Sequence, residues 1–408
     1  MAQTMTQPAA SEAKTRSRVP TPLLAIGPLI LLALVIALIV RTDAGLGDRT
    51  LPPIETLNVQ RVTLPAPNQI EIAVINDGPD PVTIAQVLVD DAYWIFDISP
   101  ANKLERLDTA TIHIPYPWVE DEPLAIQLVS STGLLFPVDI AVGVESPHAD
   151  RSSVARFGLI GLYVGVVPIV LGLLWFPLLQ RLGRRGMAFV LTLTIGLLGF
   201  LVADMWGEAQ EVGATVAGSF HAPVLIPVLA LLSVGLLVAV GNALKRRSKE
   251  SGEQAGGLRL AYQIAVGIGL HNLGEGLAIG SAFALGETAL GVFLIIGFTL
   301  HNVTEGVGIA APVVRNRPSL LHFAGLALVA GAPAIIGTWI GAFTYSAFWT
   351  TIFLAIGIGA ILQVIWEVGR LVSRSQSRAG EPLFTWTTLG GVATGAAVMY
   401  VTAVFIAA

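Results

Sequence analysis

The chain has 408 residues, of which 54% are hydrophobic and 12% are charged, and its mean hydropathy is +0.73. This composition is far more apolar than that of a soluble domain and predicts an integral membrane protein. The absence of cysteine excludes disulfides, zinc–thiolate sites, iron–sulfur clusters and thiol catalysis. A formal net charge of −5 gives no argument for nucleic acid as a partner.

Nine apolar runs are long enough to cross a bilayer, which takes about 20 residues each. They predict membrane helices over residues 21–40, 154–178, 187–207, 222–243, 258–281, 290–312, 319–341, 347–369 and 384–406. The first run follows a short basic tail, residues 1–20. Because no small-residue cleavage motif follows that run, we interpret it as a retained anchor rather than a signal peptide.

Lys and Arg are distributed unevenly among the short loops. Four loops contain them, and these alternate with loops around 208–221, 282–289 and 342–346 that contain none. Basic loops stay in the cytoplasm. The alternation therefore predicts a multi-pass protein of the plasma or inner membrane with a cytoplasmic N-terminus and an extracytoplasmic C-terminus.

Residues 41–153, between the first two runs, have a different pattern. "QIEIAVINDGPDPVTIAQVLVDDAYWIFDI" alternates apolar and polar residues around "NDGPD", which is typical of short antiparallel strands joined by tight turns. We expect a small extracytoplasmic β-sandwich, followed by a helical domain over 154–408. Residues 45–150 contain sixteen Asp and Glu against four Lys and Arg, a surface that either concentrates cations or is merely solvated.

Two matched polar motifs interrupt apolar runs: "HNLGEGLAIG" at 271–280 and "HNVTEGVGIA" at 301–310. On a helix, residues i and i+4 share a face, so each motif places an imidazole beside a carboxylate. The asparagine lies about 100° further round the helix. The candidate metal ligands are His271, Asn272, Glu275, His301, Asn302 and Glu305.

An ionised carboxylate in the middle of a membrane helix costs several kcal/mol unless it is paired or binds a cation. The only basic residue in these two runs, Arg259, lies at the end of the first. A divalent first-row metal ion would balance the two carboxylates and suits imidazole and carboxylate ligands. Gly276 and Gly306 follow the glutamates, and small residues allow two helices to approach and share one ion. The structural alternative is a hydrogen-bonded polar cluster that joins the helices.

The two motifs resemble the fourth and fifth helix signatures of the ZIP family of divalent metal transporters, in particular the bacterial GufA-like branch with H-N-x-P-E-G. "GAILQVIWE", ending at Glu367, is similar to that family's seventh helix. The resemblance covers roughly residues 154–408. It implies an all-α, eight-helix bundle whose fourth and fifth helices line a transport site, with the six motif residues as metal ligands. The family usually moves Zn²⁺, Fe²⁺ or Mn²⁺ into the cytoplasm.

Three features depart from the family pattern. Gly274 and Thr304 replace the motif proline, and the Thr304 hydroxyl is expected to bond back to the preceding turn. Ala334 stands where many members have a glutamate that completes a second metal position, so we expect one metal site or a weaker second one. The anchor and the β-sandwich lie outside the family core.

Further acidic residues are candidates for an ion path. Asp204, Glu208 and Glu211 stand at i, i+4 and i+7, where they form either an outer mouth that attracts cations or ordinary interfacial acids. Glu367 is a candidate for the cytoplasmic exit. We count Asp204, Glu208 and Glu367 as secondary metal-ligand candidates.

The sequence thus predicts a transporter of divalent transition-metal ions, not an enzyme and without a catalytic cofactor. Zn²⁺ is the first candidate ion, followed by Fe²⁺, Mn²⁺ and Cd²⁺; the other candidate partners are the lipid bilayer and a second copy of the chain. One alternative is a metal sensor or structural metal site coupled to the β-sandwich. An intramembrane metalloenzyme would typically show H-E-x-x-H, and a haem-binding electron carrier would not need the glutamates.

Overall fold

A computed structural model describes residues 21–42, 53–247, 253–315 and 318–407. Each of the nine apolar runs contains a helix. The chain divides into two compact units, 1–53 and 54–408. The first unit contains α1, and the second contains the remaining helices: α1 is Thr21–Thr42, α2 Arg151–Gly161, α3 Val167–Leu173, α4 Phe176–Leu179, α5 Arg184–Thr215, α6 Ala222–Arg247, α7 Glu253–Ala284, α8 Thr288–Ala310, α9 Leu320–Thr344, α10 Ala347–Ser377 and α11 Trp386–Ala407.

Within the described residues, seven helical segments are long and apolar enough to cross a membrane. On α6, Leu231, Leu232 and Leu236 are each more than 60% exposed, which suits contact with lipid but not with water. The chain is therefore a multi-pass membrane protein. The seven segments are Arg151–Leu179, Arg184–Thr215, Gly218–Ala243, Thr288–Val313, Leu320–Thr344, Ala347–Ser377 and Trp386–Val404.

Two predicted spans are absent from that set. In α1 the described apolar stretch is Ile26–Thr42, shorter than the other segments. In α7, the polar motif and its glycines interrupt the apolar sequence and lower its mean hydropathy. Neighbouring helices surround α7 and bury its polar residues. The nine crossings and their orientation remain a prediction.

Nine short strands lie in the described residues 57–140, ahead of the bundle. Strands β1, β2, β7 and β5 form one antiparallel sheet in that order, and β4, β3, β8 and β9 form a second, with β6 paired to β3. The strands are β1 Leu57–Ala66, β2 Gln69–Asn76, β3 Val82–Val89, β4 Ala92–Trp94, β5 Asp97–Ser99, β6 Lys103–Leu104, β7 Thr109–Ile114, β8 Leu124–Ser130 and β9 Leu135–Ile140.

The two sheets enclose one hydrophobic core. Alternate residues of β2 point into it, and Ile70, Ile72 and Val74 are fully buried. The predicted strands and their alternation are therefore confirmed. The "NDGPD" segment, however, does not close a hairpin: β2 and β3 belong to different sheets, so the segment crosses from one sheet to the other.

The first long segment of the bundle is interrupted by a π-helix, Leu162–Val166, between α2 and α3. Pro168 in α3 has no N–H and so cannot donate to the carbonyl of Val164 four residues earlier. Such interruptions expose backbone carbonyls that other groups can use. Here the Val164 oxygen accepts a hydrogen bond from α8, at the candidate site.

The "NDGPD" segment fixes the β-domain to the loop between α5 and α6. Asp77 accepts hydrogen bonds from Gly218 N at 2.5 Å and Ser219 N at 2.9 Å, and nearby Asn58 Nδ2 donates to Thr215 O at 3.0 Å. The β-domain also packs against the loop between α7 and α8, but through van der Waals contact. Val144 lies so close to Gly286 that a Cβ atom added there would be 3.0 Å from Val144 Cγ2. The β-domain is thus hydrogen-bonded to the loop between α5 and α6, whereas it only packs against the loop between α7 and α8.

Asp77 is expected to supply much of that attachment. Burial raises the pKa of its carboxyl, but the hydrogen bonds from Ser219 and Gly218 outweigh burial and hold the pKa below its ordinary value. The charged form therefore contributes at neutral pH, and the contribution is lost as the pH falls through the lowered pKa, below about pH 4.

We predict that Asp77→Ala increases amide hydrogen exchange in residues 216–221 by about tenfold, because charge-assisted hydrogen bonds contribute about 1.5 kcal/mol or more. Asp139→Ala, which removes an exposed aspartate of β9, is the control and should change nothing there. Asp77→Asn mimics the protonated group, so its difference from the natural protein should decrease as the pH falls below about 4 and disappear below the lowered pKa of Asp77. Unchanged exchange in Asp77→Ala would show that the loop is held by other contacts.

Candidate metal centre

The two polar motifs meet inside the bundle. The first lies in α7 and the second in α8, and all six polar residues are buried, with no more than 5% of any of them exposed. Of the six predicted ligands, the structure brings His271, Glu275 and His301 together, with Asn302 bonded to Glu275. Glu305 interacts electrostatically with Glu275, and Asn272 is buried on the same helix as His271.

Glu275 is the centre of the cluster. Its Oε1 lies 2.9 Å from His271 Nε2, one turn away on α7, and also contacts Nε2 of His301 on α8. One potential ligand atom from each of these three residues lies within 4.8 Å of the others. Ligand atoms about 2.1 Å from a tetrahedral zinc ion are about 3.4 Å apart, so a modest expansion of this triad would admit an ion.

A thioether completes this side of the cluster. Met205 Sδ on α5 lies 3.2 Å from His271 Nδ1, and the methionine is 1% exposed. Sequence reasoning missed Met205, although it considered Asp204 beside it. A buried methionine in an apolar helix carries no signal of its own, because methionine is an ordinary core residue.

The motif asparagines are fixed by neighbouring helices. Asn272 Nδ2 donates to Ala330 O of α9 at 2.9 Å. Asn302 Nδ2 donates to Val164 O of the π-helix at 3.0 Å and to Glu275 Oε2 at 2.9 Å. Because each NH₂ group is committed to a carbonyl, each Oδ1 is held in one orientation as a free acceptor.

Several buried oxygens in the cluster have no partner among the described residues. They are Asn272 Oδ1, Asn302 Oδ1 and both carboxylate oxygens of Glu305. An unpaired buried carboxylate is among the most costly groups in a protein. A purely structural polar cluster accounts for the bonds between Glu275 and the two histidines, but not for these four open acceptors.

The motif glycines have a different role from the predicted one. A Cβ atom at Gly276 would lie 2.2 Å from Ala334 O of α9, and one at Gly306 would lie 2.4 Å from Ile169 O of α3. The glycines therefore bring α7 against α9 and α8 against α3, not α7 against α8. Each lies four residues after its asparagine, on the same face of the helix.

The structure also explains why an acid is absent at position 334. A Cβ atom at Gly165 would lie 2.7 Å from Ala334 Cβ, so the alanine side chain points at the backbone of the π-helix. Ala334 is fully buried. A glutamate has no room in this place, and in the described part of the chain the only cluster of three potential metal-ligating side chains is that of His271, Glu275 and His301.

The other predicted features lie around the cluster. Asp204 is exposed and Glu208 half-buried on α5, close enough for Asp204 to interact electrostatically with His271 and Glu275. Glu367 lies 3.9 Å from Arg370 Nη1, in an ion pair outside the cluster. The Thr304 hydroxyl bonds back to His301 O at 2.6 Å, which confirms that prediction.

The chain matches no known protein-family model, and a search of curated proteins found no match.

We predict that Gly276→Ala destabilises the bundle, because the added methyl meets a backbone oxygen that cannot move aside. Overpacking of this kind costs about 1–3 kcal/mol, so the apparent Tm of the purified protein should fall by about 1–4 °C. Gly199→Ala is the matched control: nothing lies within 4 Å of a Cβ there, and alanine favours a helix. Equal melting temperatures for Gly276→Ala and Gly199→Ala would contradict the close packing of α7 on α9.

Proposed function

We propose that the chain transports divalent transition-metal ions, Zn²⁺ first and then Fe²⁺, Mn²⁺ and Cd²⁺, into the cytoplasm through the cluster between α7 and α8. The observation that carries the proposal is Glu305, whose two buried oxygens have no described partner, next to a second carboxylate already shared by two histidines.

Charge favours a divalent ion. Glu275 and Glu305 bring two negative charges into a bundle of membrane helices, and no Lys or Arg of the described chain forms an ion pair with either. A monovalent ion would leave one of these charges uncompensated at a cost of several kcal/mol. A single divalent ion compensates both.

The donor atoms favour a first-row transition metal. Calcium and magnesium prefer sites built entirely of oxygen, whereas this cluster offers two imidazole nitrogens, carboxylate and amide oxygens, and the thioether of Met205. Glu275 holds both imidazoles in place. The asparagines are anchored through their NH₂ groups, and each has a buried Oδ1 with no described partner.

An entry route is part of the proposal. Asp204, Glu208 and Glu211 form an acidic row on α5, and Glu208 interacts electrostatically with both Asp204 and Glu275. With the basic loops in the cytoplasm, this row lies towards the outer side and attracts cations towards the cluster. The resemblance of both motifs to ZIP transporters supports inward transport, and the alternation of basic loops supports a location in the plasma or inner membrane.

We predict that proteoliposomes containing the protein accumulate radiolabelled zinc, and that His271→Ala and Glu305→Ala each reduce the rate at least tenfold, since each removes a ligand. Glu381→Gln, which alters an exposed glutamate between α10 and α11, is the control and should transport normally. Parallel uptake of Fe²⁺, Mn²⁺ and Cd²⁺ ranks the ions. Uptake that persists in both folded ligand variants would exclude this cluster as the transport site.

A membrane metal sensor is the second candidate, because the β-domain contacts the loop that joins α7 to α8 at Gly286. Calorimetry separates the two functions. Zinc that binds to the natural protein and not to His271→Ala, without any zinc uptake, would favour the sensor.

A further inference from the structure

A cleft of about 370 Å³ lies between the β-domain and the outer end of α9. It is bounded by the outer face of the sheet β1-β2-β7-β5, by residues 146–149 leading to α2, and by Phe343 of α9. We propose that this cleft binds a small organic carboxylate, and most tightly one that also carries an amino group. Its polar lining is provided by Arg61, Thr63, Glu71, Thr111 and Ser146.

Arg61 is the group that selects an anion. It lies opposite Ala73 in the sheet, on the face away from the sandwich core, and is half-buried. No hydrogen bond or ion pair to a described residue fills its five N–H donors. Burial lowers the pKa of Arg61, while the nearby charge of Glu71 partly restores it. A half-buried guanidinium with open donors is suited to bind a carboxylate through two parallel hydrogen bonds.

Three hydroxyl groups surround the same space. Ser146 Oγ accepts a hydrogen bond from Leu64 N at 3.0 Å, which leaves its own hydrogen available to a ligand. Thr63 and Thr111 line the cleft on strands β1 and β7, and their hydroxyls make no hydrogen bond to described residues. Together with Arg61 they supply donors around one small volume, as recognition of a carboxylate requires.

Glu71 restricts the class of anion. It lies opposite Thr63 and so is a diagonal neighbour of Arg61, but the two do not form an ion pair. One of its oxygens lies 3.2 Å from His113 Nδ1. A phosphate dianion would be repelled by this carboxylate, whereas a molecule with an amino group close to its carboxylate meets Glu71 and Arg61 with opposite charges.

A metal ion does not suit this cleft. Arg61 would repel a divalent cation by several kcal/mol at a distance of about 5 Å. Within the described chain, the only three-residue cluster with metal-ligand geometry is the one in the bundle. The cleft therefore represents a second site with chemistry opposite to that of the first, and it does not depend on the proposed transport.

Titration calorimetry on the full-length protein in nanodiscs tests this proposal, with glycine, acetate and inorganic phosphate as probes. We expect glycine to bind more tightly than acetate, and phosphate not to bind. Arg61→Gln should reduce the affinity for glycine at least tenfold, and Arg61→Lys should reduce it less. Arg106→Gln, which alters an exposed arginine of the same domain, is the control and should leave the affinity unchanged.

Glu71→Gln separates the two parts of the site. It should weaken the binding of glycine, which loses the partner of its amino group, and strengthen the binding of acetate, which Glu71 repels. Equal binding of glycine and acetate, both dependent on Arg61, would support the carboxylate site and overturn the role assigned to Glu71. If neither probe binds, or if Arg61→Gln and Arg106→Gln bind glycine equally well, the proposal is wrong.

Discussion

Burying two carboxylates among membrane helices is costly, and the packing of the bundle around α7 and α8 compensates for that cost. Two imidazoles stabilise the buried charge of Glu275, whereas the carboxylate of Glu305 has no described hydrogen-bond partner. The surrounding helices are arranged so that these groups cannot move away from one another. Close glycine contacts, asparagine anchors and a π-helix all act on the two helices that carry the acids.

The same pair of contacts, one from an asparagine and one from a glycine, holds both α7 and α8 against their neighbours. In α7, Asn272 and Gly276 face α9; in α8, Asn302 and Gly306 face α3 and the π-helix before it. Each motif thus presents its histidine and glutamate on one stripe and its asparagine and glycine on the next. The repeated sequence reflects two functions at once, since one stripe forms the cluster and the other attaches the helix to its support.

Much of this arrangement could be predicted because it is local. Helical periodicity places His271 beside Glu275, and apolar runs of sufficient length define the helices. The support could not be predicted, since it depends on which helices become neighbours: Gly276 was expected to face α8, but packs on α9. Met205 gave no signal because methionine is an ordinary core residue. The "NDGPD" segment has the composition of a hairpin turn, although its Asp77 binds a loop over 140 residues away.

The π-helix at 162–166 determines where this part of the chain tolerates the loss of a residue. One extra residue in a helical turn is what separates a π-helix from an α-helix, and each residue in a helix advances the chain by about 100°. Loss of one residue from the π-helix would close the wide turn into an α-helical one and keep the register, whereas loss of one residue between Phe157 and Gly161 would rotate the preceding part of α2 relative to α3. Phe157 and Val154, whose carbonyls accept bonds from Thr338 and Trp339, would turn away from α9. The spacing between Phe157 and the start of the π-helix is therefore constrained, whereas the π-helix itself can lose one residue.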